Sequence, residues 1–322
     1  MSRIGLVGLV SWLLIVTALA ICHLNHPRLW IQDLLCSVSL YWLPAVFAGF
    51  IAVLWRCIRA RSCSVTLLYA LVVQAFLVYR VSALASPYLH FSRWVAIESN
   101  RAIDLPMLLS HTDFTPSGAA RLADVVAAQA PAVAILVGRP EQLLRAQEIL
   151  PKYPFVVESE PTGVLVLSRF EPSEESRVSL GFDSLPGLFL NLKVPDVGPL
   201  LLGALDLIPA ASQDDFFASK VTSRRLATLM RYREEPRIVV GNFNATPFAP
   251  LVNMYRRQLS MRSVMFGQGL IRTFDLADPL VRLTLDNAFV SKDVAVMRFE
   301  ALEGISVHRS TLSWQVRLAR AE

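Results

Sequence analysis

Long apolar runs dominate the first 90 residues of the chain, whereas the remainder carries short apolar segments separated by polar turns. A bilayer crossing takes about 20 predominantly apolar residues, and three runs reach roughly that length. These runs are Gly5 to Ile21, Leu35 to Trp55 and Val65 to Leu84. The pattern predicts a three-helix transmembrane anchor over residues 1–86, a linker at 87–92 and a second domain over 93–322.

The second domain mixes helical and strand periods. Its predicted helices begin at Thr115, Pro140 and Asp214, and its last strands lie near the C-terminus. Predicted strands are Trp94–Ile97, Ala132–Val137, Phe155–Glu158, Val164–Leu167, Arg177–Leu180, Leu188–Val194, Leu200–Leu205, Ile238–Val240, Leu285–Val290, Val294–Phe299 and Thr311–Leu318. Helix–strand alternation followed by consecutive strands excludes a doubly wound sheet. It favours two mixed sheets packed face to face with helices outside, an α+β fold.

Charge is distributed unevenly along the chain. Six arginines against one aspartate before residue 90 account for the whole formal charge of +5, so the second domain is formally neutral. The pI near 9.2 therefore reflects the membrane segment and does not support nucleic-acid binding. Arg56, Arg59 and Arg61 lie between the second and third runs, and the positive-inside rule makes that loop cytoplasmic.

This orientation places the second domain on the far side of the membrane, which in a bacterial inner membrane is the periplasm. An alternative for the first run is a cleaved signal peptide, because Ala18-Leu19-Ala20 resembles a cleavage site. All four cysteines precede residue 64, so the second domain has no disulfide and no thiolate chemistry.

One segment of the second domain has the form of an active-site loop. Arg237-Ile-Val-Val-Gly-Asn-Phe-Asn-Ala-Thr-Pro-Phe-Ala-Pro250 is a buried strand that breaks at a glycine, exposes two asparagines and turns through prolines into a helix. It resembles the Gly-Asp-Phe-Asn-Ala-Thr-Pro signature of the endonuclease/exonuclease/phosphatase superfamily, with Asn242 in place of aspartate. The resemblance extends over most of residues 93–318 through five landmarks in the family's order. It implies a DNase I-like four-layer α/β/β/α sandwich.

The resemblance implies metal-assisted attack of water on a phosphoester. This reaction needs carboxylates, a base and oxyanion donors. Asn244 matches the family asparagine that stabilises phosphoryl oxygens, and Asn242 occupies the general-base position. An amide cannot take up a proton, so Asn242 is a vestigial base. His308, in Gly304-Ile-Ser-Val-His-Arg-Ser310, matches the histidine of the family's Ser-Asp-His-Arg-Pro, but Val307 replaces its aspartate.

Other landmarks also depart from the family pattern. Gly138 stands where the family has a metal-binding glutamate, and Asp206 stands where it has a histidine. Asp286 is kept in a string that resembles Ile-Asp-His-Ile-Phe-Val-Ser, with Asn287 at the next position. Ser168 and Arg169 match a Ser-Arg pair that could bind phosphate or hold a turn. For the family's first asparagine, near the end of the first strand, Asn100 and Glu98 are both candidates.

Three hypotheses follow from these losses. The first is a membrane-anchored, catalytically degenerate protein that binds an envelope partner or a phosphate-bearing ligand and needs no cofactor. The second is an active phosphodiesterase or phosphatase with a rearranged site, in which Glu98, Asp206 and Asp286 would hold Mg²⁺ or Mn²⁺ and His308 would act on water. The third is a helper of a membrane complex, in which the three spans carry the specificity and the second domain only packs. In each case the lipid bilayer is a partner of the N-terminal helices.

Overall fold

The chain is described by a computed structural model over residues 3–23, 29–60, 64–89, 102–113, 116–143, 153–159, 161–173, 178–180, 186–275, 282–306 and 308–319. Four helices precede a domain of two sheets. They are α1 (Arg3–Cys22), α2 (Trp30–Ser37), α3 (Ser39–Ala60) and α4 (Val65–Leu89). The predicted first strand at Trp94–Ile97 lies outside the described residues.

The prediction of three membrane spans is wrong in number. Among the described residues, two helices are long and apolar enough to cross a bilayer, Ser39–Arg59 and Val65–Leu89. In the first run, the part of α1 that qualifies as an apolar helix among the described residues is shorter, Val10–Cys22. The second run is interrupted at Val38, where α2 ends and α3 begins.

The second domain contains two six-stranded mixed sheets. One has the strand order β13-β14-β1-β2-β4-β3 and the other β5-β6-β7-β8-β12-β9, with a short β10-β11 pair beside them. Strand bounds are β1 (Ala102–His111), β2 (Val133–Val137), β3 (Phe155–Glu158), β4 (Val164–Ser168), β5 (Val178–Ser179), β6 (Gly187–Val194), β7 (Gly198–Asp206), β8 (Arg237–Asn242), β9 (Arg262–Ser263), β10 (Phe274–Asp275), β11 (Arg282–Leu283), β12 (Asp286–Val290), β13 (Val294–Leu302) and β14 (Thr311–Ala319).

Alternation along the strands sorts their side chains between two cores. In β2, Val133 and Ile135 face the other sheet, whereas Ala134 and Leu136 face helix α5 (Pro116–Gln129). The other sheet packs its outer face against α6 (Gln213–Met230) and α7 (Pro250–Gln258). The layers are therefore helix, sheet, sheet and helix, and the predicted pair of face-to-face mixed sheets is confirmed.

The N-terminal helices are joined tightly to the second domain. Pro87 and Tyr88, where the linker was predicted, still belong to α4, and their carbonyl groups accept hydrogen bonds from Gly267 N–H (2.9 Å) and Gly269 N–H (2.8 Å). Tyr88 is fully buried in the core between the sheets. This attachment fixes the direction in which α4 leaves the domain.

Helix α2 makes the second attachment through Asp33. The Asp33 carboxylate is buried and accepts a hydrogen bond from Leu251 N–H (3.2 Å), in the first turn of α7. The preceding residue of α7, Pro250, has no N–H, and the N-cap Ala249 has no side-chain acceptor, so Asp33 supplies the cap from a distant segment. A buried carboxylate at a helix N-terminus also interacts favourably with the helix dipole.

We expect the Asp33→Asn variant to lose a pH dependence that the wild-type protein has. Burial raises the pKa of Asp33 from 3.8 to about 6, although the Leu251 N–H and the charge of Lys220 oppose the change. A carboxyl whose pKa is raised in the folded state stabilises the fold below pH 4 and loses that contribution as pH rises through 6. Thermal unfolding of the full-length protein in detergent should show wild type losing on the order of 2 kcal/mol relative to Asp33→Asn between pH 4 and pH 7.

Asp214, an exposed aspartate in the first turn of α6, provides the matched control. The free energy of unfolding of Asp214→Asn should follow that of wild type across this pH range. Parallel curves for wild type and Asp33→Asn would contradict a buried, perturbed carboxyl at the attachment.

Candidate functional site

Four strand termini bring polar side chains to one end of the space between the sheets. Strands β1, β7 and β8 end there, with His111, Asp206 and Asn242 as their last residues, and β12 begins there with Asp286. Each of these residues continues the inward-facing alternation of its strand. In the register of the second sheet, Asn242 lies directly between Asp206 and Asp286.

A buried histidine–carboxylate pair crosses from one sheet to the other. His111 Nε2 lies 2.7 Å from Asp286 Oδ1, and the two side chains are 10% and 1% exposed. Burial alone would raise the pKa of Asp286, but the adjacent His111 and Arg309 and the hydrogen bonds of His111 and Thr273 lower it below its ordinary value. Asp286 is therefore an ionised carboxylate held by its neighbours.

Arg309 fills the middle of this cluster. Its Nη1 donates to Asn242 Oδ1 (3.0 Å) and lies 3.2 and 3.4 Å from the two carboxylate oxygens of Asp286, while Nη2 donates to Asn244 Oδ1 (3.0 Å). The guanidinium also lies over the Phe274 ring, 5.0 Å from its centroid. One cation thus satisfies acceptors on three residues of the site, from two segments of the chain.

Asn242 acts as a bridge whose two ends have opposite polarity. Its Nδ2 donates to Asp206 Oδ1 (2.8 Å), and its Oδ1 accepts from Arg309 and from Asn244 N–H (3.0 Å). Burial raises the pKa of Asp206, and the negative charge of Asp286 adds to this, whereas His111, Asn242 and Arg309 oppose it. The amide at position 242 therefore supplies the donor that a buried aspartate at position 206 requires.

Asn244 shapes the turn after β8. It has a left-handed backbone (φ 46°), which asparagine tolerates better than most residues, and its side chain donates to the Leu207 carbonyl. Gly241 has φ 147°, and a Cβ there would lie 1.9 Å from the Leu205 carbonyl oxygen, so glycine is required. Both predicted asparagines lie in the site, but their amide groups are engaged within the protein.

The residues at this end of the sheets do not fit a divalent cation. The oxygens of Asp286, Asn242 and Asn244 already contact the Arg309 guanidinium, whose charge would repel a metal. At Gly138, where the family has its glutamate, a Cβ would lie 1.8 Å from Thr112 Oγ1, so Thr112 occupies that space. Across the described ranges, no group of three or more His, Cys, Asp or Glu side chains is placed to hold a metal.

The other predicted site residues lie elsewhere or serve the fold. His308 is exposed to solvent, next to the inward-pointing Arg309. Ser168 is buried and makes hydrogen bonds of 2.9 Å with both the N–H and the carbonyl of Phe170, which favours its turn-holding role, and Arg169 is exposed. Glu98, Asn100 and Val307 lie outside the described residues.

Two members of the site were missed by sequence reasoning, His111 and Arg309. The strand that enters the site is β1, which ends at His111. The resemblance suggests Asn100 for the family's first asparagine, but the residue at this strand end is a histidine eleven positions later. Its signal was an apolar run that ends in polar residues, Leu108-Leu-Ser-His-Thr-Asp113. Arg309 had no signal of its own beyond its place in the His-Arg string.

Comparison with known proteins agrees with this geometry at the level of the fold. No protein-family model and no curated protein matches the chain. Solved structures do match. An endonuclease/exonuclease/phosphatase from Bacteroides vulgatus has 12% identity and a TM-score of 0.53, and the match covers 67% of this chain and 99% of that one. A humanized D. rerio TDP2 has 14% identity and a TM-score of 0.53, covering 66% of this chain and 98% of that one, and a mannosyl-6-phosphatase from Bacteroides thetaiotaomicron has 16% identity and a TM-score of 0.50, covering 66% and 99% of the two chains. The chain therefore has the endonuclease/exonuclease/phosphatase fold, as the resemblance implied.

Proposed function

We propose that this chain, with its endonuclease/exonuclease/phosphatase fold, is a membrane-anchored protein whose site has lost hydrolytic chemistry. It acts by binding a protein partner of the cell envelope or a phosphate-bearing ligand. The observation that carries this proposal is Arg309, which neutralises Asp286 and takes the amide oxygens of Asn242 and Asn244. A site built around an internal cation has no place for the divalent ion that water attack on a phosphoester uses.

Membrane anchoring is supported by where exposed apolar side chains lie. Large exposed hydrophobic residues cluster on α1, α3 and α4, including Leu14, Phe47, Ile51, Trp55 and Val72, and few lie on the sheet domain. A water-exposed surface of this kind would cost about 25 cal/mol for each Å² left in water, whereas a bilayer covers it at no such cost.

The ends of α3 and α4 carry aromatic residues typical of membrane interfaces. Tyr41 and Tyr79 are exposed near the domain side, and Trp55 and Tyr69 are exposed near the opposite side. Arg56 and Arg59 follow Trp55 and mark that side as cytoplasmic under the positive-inside rule. With two antiparallel crossings, the proposal therefore has the sheet domain on the outer, periplasmic side of a bacterial inner membrane.

Helix α2 fits the same placement. Its inward face carries Asp33 and Cys36, while Leu29, Ile31 and Leu34 are exposed around it. An apolar surface pointing away from the protein suits a helix lying in the interface plane. Phe217 of α6 is a further exposed apolar residue of the domain.

An activity assay on the full-length protein in mild detergent tests the loss of chemistry. Bis-p-nitrophenyl phosphate and single- and double-stranded DNA would be incubated with Mg²⁺ or Mn²⁺. We expect turnover no greater than that of buffer alone, because the ligands of the metal are held by Arg309.

The variant His111→Ala makes the assay specific. His111 and Asp286 form the one histidine–carboxylate pair identified in the described part of the chain, so a genuine activity would depend on it. Metal-dependent turnover that disappears in His111→Ala and persists in the exposed-residue variant His308→Ala would overturn the proposal.

A further inference from the structure

A cavity of about 300 Å³ lies between the N-terminal helices and the outer helices of the sheet domain. Helix α4 forms one wall, and α6 and α7 form the others. It is separate from the site described above, because its lining comes from the outer helix layer and the loop before α7 rather than from the strand ends. The polar part of its lining is strongly basic.

Four cationic side chains converge on this cavity: Arg80 from α4, Lys220 and Arg224 from α6, and Arg257 from α7. No carboxylate of the described residues lines it. Burial lowers the pKa of Lys220, and the charge of Arg224 lowers it further while Asp33 opposes the change. Like charges gathered around one cavity without a lining acid favour the binding of an anion.

Arg80 adds a geometric reason for an anionic ligand. Its Nη2 donates to the His23 carbonyl (3.2 Å), but its Nε is buried and has no hydrogen-bond partner among the described residues. Arg80 also lines the cavity, so its guanidinium group is placed to contact an oxyanion there. Arginine binds phosphate oxygens especially well because its donors form a planar fork.

The cavity also has an apolar part to its lining, next to the cations. Leu84, Phe248 and Met254 line the cavity beside the cations. Arg80 lies near the end of the apolar part of α4, one residue after the exposed Tyr79. A ligand that fills this space therefore combines an anionic head with an apolar chain.

We propose that the cavity binds the phosphate group of an anionic glycerophospholipid, with an acyl chain against Leu84 and Met254. The inference rests on the membrane anchoring proposed above and adds the ligand class to it. A second cavity of about 420 Å³ shares Leu84 and Arg257 and adds Arg256, so the basic surface continues along α7. The lipid would hold α4 and the two outer helices together where the anchor meets the domain.

The test uses the full-length protein purified in mild detergent and native mass spectrometry of lipid retention. Phosphatidylglycerol and phosphatidylcholine would be titrated separately, and a third titration would use inorganic phosphate. We expect wild type to bind phosphatidylglycerol at least about tenfold more tightly than phosphatidylcholine, since charge-assisted hydrogen bonds to the phosphate are reinforced by the net charge of the lipid.

Two adjacent arginines of α6 provide a matched pair of variants. Arg224 lines the cavity, and the exposed Arg225 does not. The double variant Arg224→Gln/Arg257→Gln should lose the preference for phosphatidylglycerol, while Arg225→Gln should keep it. Both mutated side chains are exposed, and unfolding temperatures close to wild type would show that the fold is kept.

Equal binding of the two lipids, or equal loss in Arg225→Gln, would overturn the proposal. Competition by millimolar inorganic phosphate that removes phosphatidylglycerol completely would show a site for free phosphate and overturn the assignment to a lipid. Alkaline extraction of cell membranes separates these failures from failure of the anchoring: protein released by alkali contradicts the anchor, whereas retained protein without lipid preference contradicts this inference alone.

Discussion

Replacing Arg309 by alanine lowers the free energy of unfolding by about 3–5 kcal/mol, the largest effect we expect from any single change in the site. The Asp286 carboxylate is 1% exposed and would keep its charge with the guanidinium gone. The oxygens of Asn242 and Asn244 would each lose a donor at 3.0 Å. Unfolding of the full-length protein in detergent, followed by intrinsic fluorescence, should show a decrease in Tm of roughly 10 °C.

Two further variants separate the buried charge from general damage. Arg298→Ala breaks an ion pair with Glu300 in which the arginine is 68% exposed, and it should cost less than about 1 kcal/mol. The double variant Arg309→Ala/Asp286→Asn removes both charges and should be more stable than Arg309→Ala alone. Equal Tm values for Arg309→Ala and Arg298→Ala would contradict the central role assigned to this guanidinium.

Restoring the family's aspartate at position 242 destabilises the protein at neutral pH. In the Asn242→Asp variant, a carboxylate oxygen replaces the Nδ2 that lies 2.8 Å from Asp206 Oδ1. Two buried carboxylates at that distance cannot both ionise, so one must hold a proton. We expect a loss on the order of 2–4 kcal/mol at pH 7.5 that shrinks toward pH 5, because the shared proton is then bound readily.

The second half of this experiment exchanges the partner as well. Asp206→His combined with Asn242→Asp recreates the histidine and aspartate that the family resemblance places at these two positions. The double variant should recover most of the stability at pH 7.5, and the two single changes should be non-additive by more than about 1 kcal/mol. Additive losses would show that Asp206 and Asn242 are independent of each other.

The sheet domain was largely predictable because its strands alternate or are continuously apolar, and both patterns are local. Strand β1 was not predicted, because Pro106 lies inside it and proline is unfavourable in a central strand. The strand tolerates Pro106 because pairing with β2 starts at Met107, and the Pro106 carbonyl still accepts from Ala132 N–H (2.7 Å). The break between α2 and α3 at Val38 was hidden inside one apolar run, which hydropathy reads as continuous.

The site was predictable only in part, because its geometry depends on long-range contacts. Asn242, Asn244, Asp206 and Asp286 follow or begin strands, and the strand ends were readable. The sequence did not show whether His308 or Arg309 points into the site. Counting back in steps of two from the buried Leu312 would point His308 inward, but the isolated bridge between Phe274 and Arg309 interrupts that alternation. An irregular segment of this kind carries no period from which a direction can be inferred.

The attachment of α4 to the sheet domain limits where this protein can act. A flexible linker of several residues would let the domain sample distances that grow with linker length. Here the carbonyl groups of Pro87 and Tyr88 accept hydrogen bonds from the domain, and Asp33 of α2 accepts one from α7. With α3 and α4 in the bilayer as proposed, a domain with a radius of gyration of about 17 Å stays at the membrane surface. Its partners must therefore lie close to the bilayer, as membrane proteins, lipids or molecules delivered to the membrane surface.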